Sequence, residues 1–240
     1  EAGARRACEL SANAEVRRWL RNDGGVAHTG RAPRQGPGRP AGVDSLDTRQ
    51  RVIDAACQCF ARYGYGPSTN NLIAETAGVT AGSVYYHFRT KRDLFGSVCE
   101  DVYGKLANWL GELEPADLSV AGLLRLVLRA ALRINEASPD VAAFVGAAPV
   151  DARRHSELTE MYEAQAVRLD EAMKGFVVQG QRTGTIPPDV VAAEVSRLVR
   201  AVVYGFALIG AGGHPDELNR VADLFESQVL DVGSGSALAP

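Results

Sequence analysis

Residues 66–95 decide the fold of this chain and read GPSTNNLIAETAGVTAGSVYYHFRTKRDLF. A short helix is expected after Thr69, because a threonine hydroxyl can accept a hydrogen bond from the free N–H groups of a first turn. Gly78 follows where the chain must turn sharply, and glycine adopts a positive φ there at little cost. Thr80 can cap a second short helix. Two short helices joined by a tight glycine turn predict a helix-turn-helix unit, whose second helix is built to enter the major groove of DNA.

Helical periodicity surrounds this unit on both sides. Apolar residues recur at spacings of three and four from Val52 to Phe225, and no segment keeps up a strand-like alternation. The sequence therefore predicts an all-α protein. The three helices of the helix-turn-helix segment are expected over residues 48–63, 70–77 and 81–87.

Three short motifs follow one another in this segment: Ala77-Gly78-Val79-Thr80, then Tyr85-x-His87-Phe88, then Lys91. Together they resemble the DNA-binding domain of the TetR-family (tetracycline-repressor-like) transcriptional regulators over residues 48–95. Asn70 departs from the family pattern, which usually places an aliphatic residue there, and Leu72 is expected to supply the packing instead. The rest of the chain resembles the family only in the number and length of its helices.

The resemblance implies a division into four parts. A flexible Arg/Gly/Pro-rich extension covers residues 1–47, a TetR-type helix-turn-helix DNA-binding domain 48–95, a helical effector-binding and dimerisation domain 96–230, and a flexible tail 231–240. Residues 48–95 carry six Lys and Arg against three Asp and Glu, whereas residues 96–240 carry twelve against twenty. This asymmetry is typical of a protein that meets a polyanion with one end only.

The resemblance also implies which residues meet DNA. Thr69 begins a helix, where free N–H groups and the helix dipole favour a phosphate, and Lys91 can neutralise another. Residues 80–86 contain no Arg, Lys, Asn or Gln, so apolar contacts, hydrogen bonds from Ser83 and DNA shape are expected to provide much of the specificity. The full set of expected DNA contacts is Thr69, Asn70, Asn71, Thr80, Ala81, Gly82, Ser83, Tyr85, Tyr86, His87 and Lys91.

The N-terminal extension has two possible interpretations. Arg31, Arg34 and Arg39 stand among Gly and Pro, and an extended arginine can enter a narrow, A·T-rich minor groove. The alternative is a disordered tail whose charge only aids solubility.

Composition and motif searches exclude several classes of function. The four cysteines are scattered, form no C-x-x-C pair and lie away from clustered histidines, which favours reduced thiols, no metal site and a cytoplasmic location. No nucleophile–base order, paired carboxylates, phosphate loop or dinucleotide-binding turn appears, so neither an enzyme activity nor a cofactor is expected. The longest nearly apolar run, about 13 residues, is too short to span a membrane.

The family resemblance implies a homodimer that binds a palindromic operator, most simply as a repressor released by a small-molecule effector. The pattern leaves activation open and does not identify the effector or its pocket. The last two helices are expected to form the dimer contact through Ala201, Gly205, Phe206, Ile209, Val221 and Phe225. Two alternatives remain at this point: a DNA-binding module fused to an enzymatic or carrier helical body, and an architectural DNA binder without an effector.

Overall fold

A computed structural model describes residues 41–111, 119–210 and 215–230. Within these ranges the chain forms helices and turns and no β-strand, which confirms the prediction of an all-α fold. None of the described helices is long and apolar enough to cross a membrane. The helices are α1 (Ala41–Tyr63), α2 (Asn70–Ala77), α3 (Ala81–His87), α4 (Lys91–Gly111), α5 (Val120–Ala137), α6 (Pro139–Arg154), α7 (Ser156–Thr183), α8 (Ala192–Gly210) and α9 (Pro215–Phe225), the last continuing as a π-helical turn over Glu226–Leu230.

Helices α1 to α3 form a small unit, here called the head. α1 packs against both α2 and α3. Phe60 of α1, Ile73 of α2 and Val84 of α3 are fully buried together. The short helices α2 and α3 are therefore held against the side of α1, and their remaining faces point outward.

Helices α4 to α9 form the body, which shares its core with the head. α4 continues without a break across residue 95, the expected boundary between the DNA-binding domain and the body. The rings of Phe60 and Phe95 lie 5.4 Å apart, and those of Phe95 and Phe144 lie 5.7 Å apart, measured between centroids. One buried apolar cluster thus extends from α1 through α4 to α6 and α7.

Within the body, α4 packs along α7, and α6 lies between α1 and α8. α5 packs against α8 and α9. Leu128 of α5, Phe206 of α8 and Leu218 of α9 are buried together and hold these three helices to one another. α6 packs extensively against α1 of the head, so movements of the body can reach the head through it.

The extent of one helix differs from the sequence-based expectation. α1 covers Ala41–Tyr63 and so includes residues before the expected start at residue 48. Ser138 makes no side-chain capping bond to α6. Its N–H instead donates to Ile134 O at 2.7 Å and closes α5, because a single residue links the two helices.

Candidate DNA-binding surface

The helix-turn-helix is fixed by three local caps. Thr69 Oγ1 accepts a hydrogen bond from Leu72 N at 3.1 Å at the start of α2, and Thr80 Oγ1 accepts one from Ser83 N at 3.1 Å at the start of α3. Gly78 ends α2 with φ at +65°, in the left-handed region that favours glycine. All three capping predictions are confirmed.

Arg51 of α1 braces the turn between α2 and α3. Its Nη2 donates to Ala77 O at 2.7 Å and to Gly78 O at 3.2 Å. The last carbonyls of a helix lack internal partners and carry the negative end of the helix dipole, so an arginine there is doubly favourable. Sequence reasoning missed Arg51, because a side chain 26 residues before its partner leaves no local spacing to detect.

One face of α3 points into solvent. Tyr86 is 81% exposed and Tyr85 is 56% exposed, whereas Val84 is fully buried in the core. Gly82 is exposed, and Ala81, Ser83 and His87 are half-buried. The residues of α3 that are expected to read bases therefore lie on the accessible side of the helix.

Two of these groups are also bound to neighbours in the free protein. The hydroxyls of Thr80 and Ser83 lie 3.0 Å apart in a hydrogen bond, so Ser83 must rotate or share its hydroxyl to contact a base. The rings of Tyr86 and His87 meet edge to face with centroids 5.0 Å apart. These contacts restrict the rotamers of the side chains in the free protein.

Lys91, at the start of α4, is less free than the sequence suggested. Its Nζ donates to Tyr65 O at 2.7 Å and to Gly66 O at 3.0 Å, and lies 4.3 Å from the centroid of the Tyr65 ring. Partial burial lowers the pKa of Lys91. An ammonium group has three N–H donors, so one remains for a phosphate while the other two hold the loop before α2.

The start of α2 places its asparagines differently. Asn71 is exposed beside the exposed Thr69. Asn70 is half-buried, and its Oδ1 is covered without a hydrogen-bond partner. Leu72 packs partly buried against the core of the head and takes the packing role that Asn70 cannot.

Two further features flank α3 and were not singled out from the sequence. Arg89 is exposed directly after the helix. Thr90 and Asp93 cap α4 reciprocally: Asp93 N donates to Thr90 Oγ1 at 3.0 Å, and Thr90 N donates to Asp93 Oδ2 at 3.1 Å. The S/T-x-x-acid spacing of such a capping box was the signal available in the sequence.

A buried carboxylate joins the head to the body. Asp151, near the end of α6, is 6% exposed, and its Oδ2 accepts a hydrogen bond from Tyr65 N at 2.8 Å. The Tyr65 ring also contacts the ring of His155, with centroids 5.1 Å apart. Because Tyr65 in turn contacts Lys91, α6 is connected through two residues to the base of the DNA-facing surface.

An apolar cavity of about 90 Å³ lies inside the body. It is lined by residues of α4 to α9, among them Trp109, Ala130, Ala142 and Val145. Since Ala142 and Val145 belong to α6, the cavity touches the same helix that holds Tyr65 through Asp151.

The residues expected at a dimer contact divide into two groups. Ala201, Gly205 and Ile209 are exposed on α8, and Val221 of α9 is half-buried. Phe206 is only 8% exposed and packs inside the body, with its ring 6.1 Å from that of half-buried Phe225. Leu208 and Leu224, at 75% and 61% exposure, were not predicted and extend the exposed apolar surface.

Arg31, Arg34 and Arg39, the arginines predicted to enter the minor groove, lie outside the described residues.

Residues 52–98, which contain the helix-turn-helix, match the family of bacterial regulatory proteins named tetR. These residues are therefore a TetR-family DNA-binding domain. This confirms the resemblance seen in the motifs from Ala77 to Lys91, and the chain is a DNA-binding transcriptional regulator.

The similarity to known proteins extends over most of the chain. The HTH-type transcriptional repressor AcnR of Corynebacterium diphtheriae is 28% identical over 182 residues, which are 75% of this chain and 90% of AcnR. A TetR-family regulator from Agrobacterium tumefaciens has a similar fold, with a TM-score of 0.63 at 15% identity, over 77% of this chain and 98% of that one. The regulator FadR of Bacillus subtilis, solved in complex with stearoyl-CoA, has a TM-score of 0.60 at 20% identity, over 75% and 98% of the two chains.

Proposed function

We propose that this TetR-family protein is a homodimeric repressor that occupies a palindromic operator and leaves it when a small molecule binds in the body. The observation that carries the DNA-binding half is the exposed face of α3, capped by Thr80 and braced through Arg51. Operator DNA lies in the bacterial cytoplasm, so the protein is expected to work there. No catalytic step is part of this proposal.

The DNA contacts are proposed to fall into two classes. Thr69, Tyr85, His87 and Lys91 contact the backbone, because they lie at helix ends and carry donors suited to phosphate oxygens. Such contacts set affinity and register and carry no sequence information directly. The base-facing contacts are proposed for Asn70, Asn71, Thr80, Ala81, Gly82, Ser83 and Tyr86.

The base-facing set favours recognition by shape and apolar contact. Ala81 and the ring of Tyr86 can contact thymine methyl groups, and Ser83 can donate to or accept from a base edge. The exposed Gly82 lets the helix backbone approach the groove closely. Arg31, Arg34 and Arg39 are proposed to add minor-groove contacts from the N-terminal extension and to raise affinity without choosing the site.

A second copy of the chain is proposed to pack against the exposed apolar surface of α8 and α9. Leu208 and Ile209 on α8 and Leu224 on α9 expose large apolar side chains, which water solvates poorly. Small residues at Ala201 and Gly205 allow close approach of two helices. Two heads on a two-fold axis would then read half-sites about 34–36 Å apart, or a multiple of one DNA turn.

The effector is proposed to act through α6. The cavity has a volume of about 90 Å³, which is smaller than a cavity of about 150 Å³ that binds benzene. A ligand must therefore push the lining helices apart, α6 among them. Asp151 would carry that displacement to Tyr65 and so to the loop that Lys91 holds, which changes the placement of the head.

Selection of duplexes from a random pool, followed by footprinting, tests the DNA-binding half of this proposal. The expected result is a palindrome protected symmetrically, with binding lost in a Tyr85→Ala, His87→Ala, Lys91→Ala triple variant that remains folded. Equal affinity for all duplexes would contradict the proposal and favour the architectural binder. Release of the selected duplex by a small molecule, measured by fluorescence anisotropy, tests the effector half.

A further inference from the structure

The body cavity exists because small side chains meet where larger ones would close the space. Ala130 of α5, Ala142 of α6 and Ala207 of α8 line it, together with larger apolar groups such as Leu106 and Val199. Its chemistry is set by the few polar residues of the lining that the structure describes: Tyr103, Trp109, Asn135, Ser196, Arg200 and Tyr204.

Arg200 carries the one formal charge in the described lining, and it is neutralised within the protein. Its Nη1 lies 3.2 Å from Asp170 Oδ1, and Ser196 Oγ donates to the same carboxylate oxygen. A charged ligand would have to leave water for a lining whose described residues offer no unpaired opposite charge. Burying an unpaired charge costs far more than burying an apolar group gains.

The two phenol groups of the lining are also paired. Tyr103 Oη donates to Val145 O at 3.1 Å, and the hydroxyls of Tyr204 and Tyr162 lie 2.7 Å apart. Burial raises the pKa of Tyr103, Tyr162 and Tyr204, so all three phenols are neutral at physiological pH. The neutral amide of Asn135 completes the polar lining.

Trp109 differs from these residues. It is 8% exposed, and its Nε1 is buried without a hydrogen-bond partner in the described structure. The ring packs among Ala130, Ile134 and Ala142, at the part of the cavity where side chains are small. An indole nitrogen can only donate, and a buried unpaired donor is costly, so an acceptor that reaches it is strongly favoured.

We propose that the cavity binds an uncharged, largely hydrocarbon molecule whose one hydrogen-bond acceptor is bound by the indole N–H of Trp109. The inference deepens the proposed function, on which it rests, by naming the chemical class of the effector. Nε1 is buried in the free protein, so the acceptor reaches it as the cavity widens around the ligand.

Four probes of one shape test the ligand class by calorimetry on the full chain. Cyclohexanone is neutral with an acceptor, methylenecyclohexane has the same shape without one, and cyclohexanecarboxylate and cyclohexylammonium carry opposite charges. The two neutral compounds are expected to bind and the two ions to bind at least about tenfold more weakly. Equal binding of either ion, or no binding of the neutral pair, would overturn the proposal.

A Trp109→Phe variant tests the role of the indole. Both neutral probes lose the same packing in this variant, but only cyclohexanone loses a hydrogen bond. The ratio of its affinity to that of methylenecyclohexane should fall about threefold to tenfold. An unchanged ratio would overturn the assignment of Trp109, whatever the separate affinities become.

An Ala130→Leu variant tests the location of the site. The added side chain fills the cavity, so cyclohexanone binding should be lost while helicity and operator binding persist. Ala193→Leu, at an exposed position of α8, is the matched control and should bind as wild type does. Unchanged cyclohexanone binding by Ala130→Leu would overturn the proposal. Binding of cyclohexanone without operator release would instead contradict the release step of the proposed function and leave the ligand class standing.

Discussion

At the scale of single residues, the candidate DNA-binding surface is supported by residues that each contact more than one partner. Lys91 Nζ binds two carbonyls of the loop before α2 and lies against the Tyr65 ring. The backbone N–H of Tyr65 in turn donates to Asp151 Oδ2. A phosphate contact by Lys91 therefore depends on a loop whose shape α6 also controls.

Replacing Lys91 by Ala should weaken binding to every DNA sequence similarly and lower the salt dependence of log K by about one unit of slope. It should also lower the free energy of unfolding by about 1 kcal/mol, because two carbonyls lose their donor. Lys174→Ala, which removes an exposed lysine of α7, should leave both quantities unchanged. Binding measured at several salt concentrations and urea unfolding give the two values, and a wild-type salt slope would contradict the phosphate contact.

Replacing Asp151 by Ala leaves the buried Tyr65 N–H without an acceptor. The free energy of unfolding should fall by about 1–3 kcal/mol, whereas Asp189→Ala, at an exposed position, should have no effect. Urea unfolding measures both variants. If Asp151 also transmits the effector signal, Asp151→Ala should keep binding the operator and release it poorly on ligand addition, and wild-type release would exclude that role.

At the scale of the helices, the helix-turn-helix could be predicted closely from its sequence. The caps at Thr69 and Thr80 and the turn at Gly78 depend on residues within four positions, so the local pattern contains the physical cause. Phe206 shows the opposite case. α8 is apolar around much of its circumference, so spacing alone could not decide that Phe206 faces the core while Leu208 and Ile209 face solvent.

Contacts between distant segments were likewise beyond prediction. Asp151 and Tyr65 are 86 residues apart, and nothing near either residue indicates the other. The cavity also has no sequence signal, because alanines on a helix face line packed cores and open cavities alike.

The turn itself can be tested with two matched glycines. Gly78→Ala should lower the free energy of unfolding by about 1 kcal/mol or more, because φ is +65° and the new Cβ lies 3.3 Å from Arg51 Nη2. Gly175→Ala, in open space on α7, should instead raise it by about 0.5–1 kcal/mol. Thermal or urea unfolding separates the two, and equal effects of like sign would contradict the strained turn.

At the scale of the whole molecule, the exposed apolar surface of α8 and α9 is the proposed contact between two copies of the chain. Gly205 lies on it with nothing within 4 Å of an added Cβ. A large side chain there is accommodated by the single chain but not by a close helix–helix contact. The position therefore separates assembly from folding.

Gly205→Trp should give a folded monomer that has lost the operator, since one head with so few base-reading side chains binds weakly. Gly175→Trp adds the same bulk at another exposed glycine without near neighbours and should remain dimeric. Sedimentation reports the mass and a gel shift reports binding. A Gly205→Trp variant that stays dimeric would place the interface elsewhere on the body.

The buried cluster that runs from α1 through Phe95 to Phe144 has a consequence for how such regulators can be recombined. Part of the apolar support beneath the helix-turn-helix comes from α6 and α7 of its own chain. A head transplanted from a relative would meet a foreign partner surface across that core, with mismatched volumes and an unmatched acceptor for the Tyr65 N–H. In chimeras of this protein, α6 should therefore be transferred together with the head, so that both sides of the shared core come from the same protein.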